Sequence, residues 1–145
     1  MKALIQRVAH ASVAVDDITI GKIDRGILVF AGIEKHDTVD TLERMANKIL
    51  AYRIFPDDGG KMNLSTSGIN GGVLCISQFT LAADTKKGLR PSFSSAAAPN
   101  DAEALYKQFV ALLREKHAKI EEGRFAADMK VTLLNDGPVT FLLDM

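Results

Sequence analysis

The 145-residue chain is 47% hydrophobic and 25% charged, the size and balance of one globular domain that buries its core without cross-links. Eighteen basic residues are cancelled by eighteen acidic ones, so overall charge offers nothing to a nucleic acid, and any such partner must use a local patch. A single cysteine, Cys75, excludes an intrachain disulfide, and no apolar run approaches the roughly 20 residues needed to span a membrane.

The apolar stretch of Met1 to Arg7 is too short for a signal peptide. With the lone Cys75 inside the run Val73-Leu74-Cys75-Ile76, the expectation is a cytoplasmic protein whose thiol is packed rather than reactive. Ala3 to Val15 is rich in Val, Ile and Ala, and Ser12 to Val15 alternates as a half-buried strand does. Asp16-Asp17 reads as a turn and Ile18-Thr19-Ile20 as the return strand of a hairpin. Gly26 to Ile33 reads as a buried strand. Asp37 or Thr38 caps a helix whose apolar positions are Leu42, Met45, Ala46, Ile49 and Leu50, with Pro56 as its stop. Asp57-Asp58-Gly59-Gly60 is a turn.

Gly71-Gly72 launches a strand expected to run from Val73 to Leu81, and Ala82 to Ala98 reads as a long loop. Asn100 with Glu103 resembles a capping box, opening a helix with Ala102, Leu105, Phe109, Leu112 and Leu113 on one face. Met129 to Leu134 and Val139 to Leu143 are expected as two closing strands around Asn135-Asp136-Gly137-Pro138. The chain shows no repeat and no linker. Residues 1–145 therefore read as one mixed α/β domain, its sheets largely antiparallel and paired as in a barrel, with helices packed on one side.

Ordinary catalytic constellations are poorly supported. None of His10, His36 and His117 has a second histidine at metal-ligand spacing, and Glu34, His36 and Asp37 read as a solvated loop ahead of a helix. There is no Gly-x-Ser-x-Gly elbow and no phosphate loop. Three segments stand out instead. Ser77-Gln78-Phe79-Thr80-Leu81 puts polar residues at the end of an apolar strand, either as satisfied hydroxyls or as groups presented to a ligand. Asp136-Gly137-Pro138 reads either as a plain turn or as a segment whose carbonyls are aimed at a substrate. Lys86, Lys87 and Arg90 lie in a Gly- and Pro-containing stretch, which reads equally as a solvated loop or as a phosphate contact.

Taken together, Ser77-Gln78-Phe79-Thr80-Leu81 and Asn135-Asp136-Gly137-Pro138-Val139-Thr140 resemble the two signatures of the D-aminoacyl-tRNA deacylase family, also called D-tyrosyl-tRNA deacylase. Gln6-Arg7-Val8, Ala11-Ser12-Val13, Lys87 to Phe93 and Ala127-Asp128-Met129 match in order, so the resemblance covers essentially the whole chain. Two positions depart from it: family members usually have Gly where Asp17 and Ala126 stand here.

The resemblance implies hydrolysis of the ester of D-aminoacyl-tRNA, with rejection of the L-form and passage of achiral glycine, and it implies no metal and no cofactor. It implies a homodimer in which Gly137-Pro138, a cis peptide held by Arg7, enters the pocket of the partner subunit. Ser77, Gln78, Phe79 and Thr80 would form the catalytic segment, Met129 the pocket wall, and Lys86, Lys87 and Arg90 the tRNA contacts. The ribose 2′-hydroxyl would assist attack by water. Thr80 is then a binding and structural residue, since no base stands near it in the sequence pattern. Two other readings compete. An RNA-binding module without catalysis would use the basic loop, and a Thr80-nucleophile esterase would need a base that the sequence does not show.

Overall fold

The computed structural model describes residues 1–86 and 88–145. Strand β1 (Lys2–Val15) organises the whole molecule. It pairs antiparallel with β2 (Ile18–Ile23) through its second half, with β3 (Gly26–Gly32) through its first half, and with the final strand along its other edge. The β1–β2 hairpin closes through Asp16 and Asp17 at φ 50° and 62°. A two-residue turn with both φ values positive has the twist that suits a right-handed hairpin, and Asp tolerates it.

Beyond β3 lie β6 (Gly72–Ser77) and β7 (Ile120–Glu122), both parallel to their neighbours, so the order is β2-β1-β3-β6-β7. A separate small pair is formed by β4 (Arg53–Pro56) and β5 (Met62–Ser65). The side-chain period of two places Ile27, Val29, Ala31, Val73 and Cys75 against the helices. Leu28, Leu74 and Ile76 turn the other way and join Val8, Ala11, Val13 and Ile23 in a second core enclosed by the curling sheet. Burial on both faces explains why β3 and β6 read as continuous apolar runs. A Cβ on Gly26 would sit 1.9 Å from the carbonyl oxygen of Gly72, so the β3–β6 pairing starts where no side chain fits.

Helix α1 (Val39–Ala51) is capped by Thr38, which exchanges hydrogen bonds with Thr41, and it buries the five predicted apolar residues. It ends at Ala51, before Pro56, because Tyr52 turns extended to enter β4; Pro56 is the last residue of that strand and not the helix stop. Helix α2 (Pro99–Lys116) begins with Pro99 in its first position and has no side-chain cap. Asn100 lies inside the helix, so the expected capping box does not form. Its buried face is Ala102, Tyr106, Phe109, Val110 and Leu113, with Leu105 and Leu112 only half-buried. Both helices pack on the same side of the sheet, as expected.

Two strand expectations fail in informative ways. Strand β6 ends at Ser77, and Phe79–Ala82 form a single 3-10 turn. The segments flanking Gly137-Pro138 are one strand, β8 (Lys130–Asp144), and not a hairpin. Both halves pair with β1, because β1 is long enough to span them. Gln6 faces Thr140 and Val8 faces Asn135, so Asp136, Gly137, Pro138 and Val139 stand opposite Arg7 alone and bulge from the ladder.

Candidate active site

A cavity of about 520 Å³ opens where β3, β6, the start of α2 and the segment before β8 converge. Ser77 and Gln78 form its polar edge, Phe79 borders them, and Met129 lies in its wall. The remaining wall is mostly apolar: Phe30, Ile76, Tyr106, Phe125 and Val131 contribute to it. The Tyr106 and Phe125 rings stand 5.9 Å apart. The Tyr106 hydroxyl donates to the Cys75 carbonyl at 2.9 Å, and the same carbonyl accepts the Gly123 N–H at 2.9 Å. Burial raises the Tyr106 pKa, so this hydroxyl is a permanent donor. Burial likewise pushes the Cys75 thiol up to about 12, and it packs as a small hydrophobe.

The polar edge follows from how β6 ends. The Gln78 N–H donates to the Ala31 carbonyl at 2.7 Å, the last link to β3. The chain then tightens, with the Leu81 N–H bonded to the Gln78 carbonyl and the Ala83 N–H to the Thr80 carbonyl, at 3.2 and 3.1 Å. The N–H groups of Phe79 and Thr80 donate to no described residue. Two adjacent unpaired donors beside a cavity are suited to an oxygen that gains negative charge. The Thr80 hydroxyl is exposed and accepts from Gln78 Nε2 at 2.6 Å. Among the described residues no His, Asp or Glu side chain bonds it, so nothing is placed to remove its proton.

The wall before β8 carries a signal in its backbone. Ala126 has φ 58°, a left-handed conformation that disfavours a side chain by about 1–2 kcal/mol. It sits in the cavity wall three residues from Met129. Met129 in turn lies across Gly123, where a Cβ would approach its sulfur to 2.5 Å.

Arg7, Gly137 and Pro138 lie elsewhere and do not line the cavity. Arg7 is buried, and its guanidinium bridges two segments. Nη1 donates to the Ile54 carbonyl at 2.6 Å and Nε to the Asp136 carbonyl at 2.9 Å, with the Asp136 carboxylate 3.3 Å from Nε. The Gly137-Pro138 peptide is cis, Gly137 has φ 140°, and both residues are exposed beyond the ladder. Lys86 and Arg90 are exposed in the stretch between Ala82 and Ala98, which is closed by paired hydrogen bonds between Asp84 and Ser92. Lys87 lies outside the described residues. Glu34 and Asp37 are not a free solvated pair, since both engage the Met1 ammonium, at 3.1 and 2.5 Å.

The structure thus gathers Ser77, Gln78, Phe79 and Met129 at one cavity with Thr80 on the adjoining turn, and Arg7 with Gly137 and Pro138 at a second place. Sequence reasoning missed the wall residues Phe30, Tyr106 and Phe125. Tyr106 was legible as a residue one helical turn beyond Ala102 on the apolar face of α2.

Residues 4–144 match the family described as D-Tyr-tRNA(Tyr) deacylase. The chain belongs to this family. Its members are hydrolases that cleave the ester of D-aminoacyl-tRNA. The chain is 70% identical to the D-aminoacyl-tRNA deacylase of Saccharophagus degradans, with both chains fully covered. It is 64% identical to that of Teredinibacter turnerae, over 99% of each chain. A solved structure described as c-Myc DNA Unwinding Element Binding Protein superposes with a TM-score of 0.96 at 42% identity, covering 100% of this chain and 99% of that one. A probable eukaryotic D-amino acid tRNA deacylase superposes at 0.88 with 17% identity, over 99% of this chain and 98% of that one, which establishes a shared fold.

Proposed function

We propose that residues 1–145 act as one D-aminoacyl-tRNA deacylase domain, with each active site completed across a homodimer. The observation that carries the reading is the pair of adjacent N–H groups at Phe79, which lines the cavity, and Thr80, next to it, neither of which donates to a described residue. In this reading the terminal nucleoside of the tRNA enters the apolar cavity, between walls that include Tyr106, Phe125 and Met129. The ester carbonyl then lies against the two N–H groups. Water attacks the carbonyl carbon, the N–H pair holds the developing oxyanion, and the ribose oxygen leaves with a proton. With no His, Asp or Glu side chain on the Thr80 hydroxyl among the described residues, the substrate's own 2′-hydroxyl assists the water, and Thr80 positions the segment through Gln78.

Chirality is read by backbone. Gly137-Pro138 of the partner subunit would face the α-carbon of the bound amino acid. A D-residue turns its side chain outward, whereas an L-residue drives its side chain into the peptide. Such a reader tolerates many D-side chains and admits glycine. Supporting the dimer, Gly137 and Pro138 are exposed and away from the cavity of their own chain. Strand β8 carries the exposed Leu134 and Leu142, apolar surface suited to a second copy. Lys86, Lys87 and Arg90 would meet tRNA phosphates, and tRNA places the enzyme in the cytoplasm. No helix among the described residues is long and apolar enough to cross a membrane.

The test is hydrolysis of D-tyrosyl-, L-tyrosyl- and glycyl-tRNA by the purified protein, with Thr80→Ala measured alongside. Loss of the D- and glycyl-esters alone, with Thr80→Ala retaining its single-turnover rate, is expected. Survival of all three esters refutes the proposal. Abolition of turnover in a folded, substrate-binding Thr80→Ala variant would move the chemistry to that hydroxyl.

A further inference from the structure

The exposed rings of Phe79 and Phe93 have no part in the reaction just described. Phe79 is 57% exposed and Phe93 40%, yet their rings rest on one another with centres 5.0 Å apart and planes inclined by 51°. Phe79 borders the cavity. The backbone fixes Phe93 from both sides. Ser92 exchanges hydrogen bonds with Asp84 at 2.8 and 3.0 Å, and the Phe93 carbonyl accepts the Ala96 N–H at 3.1 Å. The loop closed by Asp84 and Ser92 carries Lys86 and Arg90, both exposed. Within that loop the Asp84 carboxylate accepts the Lys86 backbone N–H at 2.9 Å.

We infer that the Phe79–Phe93 pair is a stacking platform for the base of the nucleotide next to the terminal one, with Lys86 and Arg90 supplying charge for the adjoining phosphates. The inference rests on the proposal that the terminal nucleoside occupies the cavity. The strand leaving the cavity then passes its rim, and Phe79 borders that rim. Aromatic faces beside basic side chains are the combination that holds single-stranded nucleic acid, and stacking accepts any base because every base has a π-face. The charge is local, consistent with a chain whose net charge is zero.

The experiment compares Phe93→Ala and Phe93→Trp with wild type on three esters: D-tyrosyl-adenosine, D-tyrosyl-cytidylyl-adenosine and full D-tyrosyl-tRNA. Wild type should show a lower KM for the dinucleotide ester than for the mononucleoside ester. Phe93→Ala should raise KM about 5- to 150-fold on the dinucleotide and tRNA esters, the loss of one base–aromatic stack, with kcat and the mononucleoside reaction unchanged. Phe93→Trp should restore the low KM. Equal effects of Phe93→Ala on all three esters, or no effect on any, overturn the platform. Loss of the wild-type oligomeric state in Phe93→Ala on sedimentation overturns it too, since the ring would then belong to the contact between copies. Wild-type protein inert on every ester refutes the deacylase proposal itself, an outcome distinct from activity without a dinucleotide advantage.

Discussion

Replacing Arg7 tests how the bulge in β8 is held. The guanidinium reaches two carbonyls, Ile54 at 2.6 Å and Asp136 at 2.9 Å, from a position only 9% exposed. Hydrogen bonds from a charged donor contribute about 1.5–3 kcal/mol each, and a buried carbonyl left without a donor costs about 1–3 kcal/mol. The bond to the Ile54 carbonyl is buried, so its loss carries the full cost, whereas the bond to the Asp136 carbonyl is only partly buried and solvent recovers some of its loss. The ion pair with the half-exposed Asp136 carboxylate adds little. Arg7→Ala should therefore lower stability by about 3–4 kcal/mol, a fall in Tm of roughly 10 °C for a chain of this size. Arg7→Lys keeps the charge but cannot fork to both carbonyls, so about half of that loss is expected. Calorimetry gives the first readout. The second is D-tyrosyl-tRNA hydrolysis well below Tm, where both folded variants should lose at least about tenfold in kcat/KM as Asp136 to Val139 lose their anchor. Arg7→Lys with wild-type Tm and wild-type rate would refute this account of the bulge.

Gly137→Ala is expected to reduce D-tyrosyl-tRNA hydrolysis at least about tenfold and lower Tm by several degrees. At φ 140° its Cβ would lie 2.9 Å from the Val139 nitrogen and 3.3 Å from Arg7 Nη2, an arrangement costing about 1–3 kcal/mol, and unchanged rate and Tm would count against it. Asp17→Gly should raise Tm by about 2–3 °C, since glycine relieves the left-handed φ of 62°; a lower Tm would show that Asp17 contributes something beyond the turn. Cys75 should resist iodoacetamide at neutral pH in the folded protein and react fully in denaturant, because its folded pKa of about 12 leaves almost no thiolate. That shift lies above the ordinary value of 9.0, so its contribution to stability is complete below pH 9 and is lost as pH rises toward 12, by at most about 1.4 kcal/mol per pH unit in a denaturation series.

Local pattern determined much of this protein. The apolar period of α1, its Thr38 cap, the Asp16-Asp17 turn and the buried runs of β3 and β6 follow from residues adjacent in the chain, because each depends only on which face is apolar and which backbone angles are tolerated. The two signature segments were equally legible, through resemblance to the family. What the sequence did not determine is which neighbour covers a face. Asp136-Gly137 has the chemistry of a turn, yet it becomes a bulge because β1 runs past it on one side and Arg7 anchors it to Ile54. The apolar run from Val73 stops at Ser77 because the Ala31 carbonyl takes the Gln78 N–H and the next residues tighten into a turn. Strand β7 is three residues long and exists only through its parallel pairing with β6. The cavity draws its walls from β3, β6, α2 and the segment ahead of β8, which are distant in sequence, so tertiary packing alone decided its shape. Periodicity fixes the direction in which a side chain points, whereas the groups it meets are set by contacts between residues far apart in the chain.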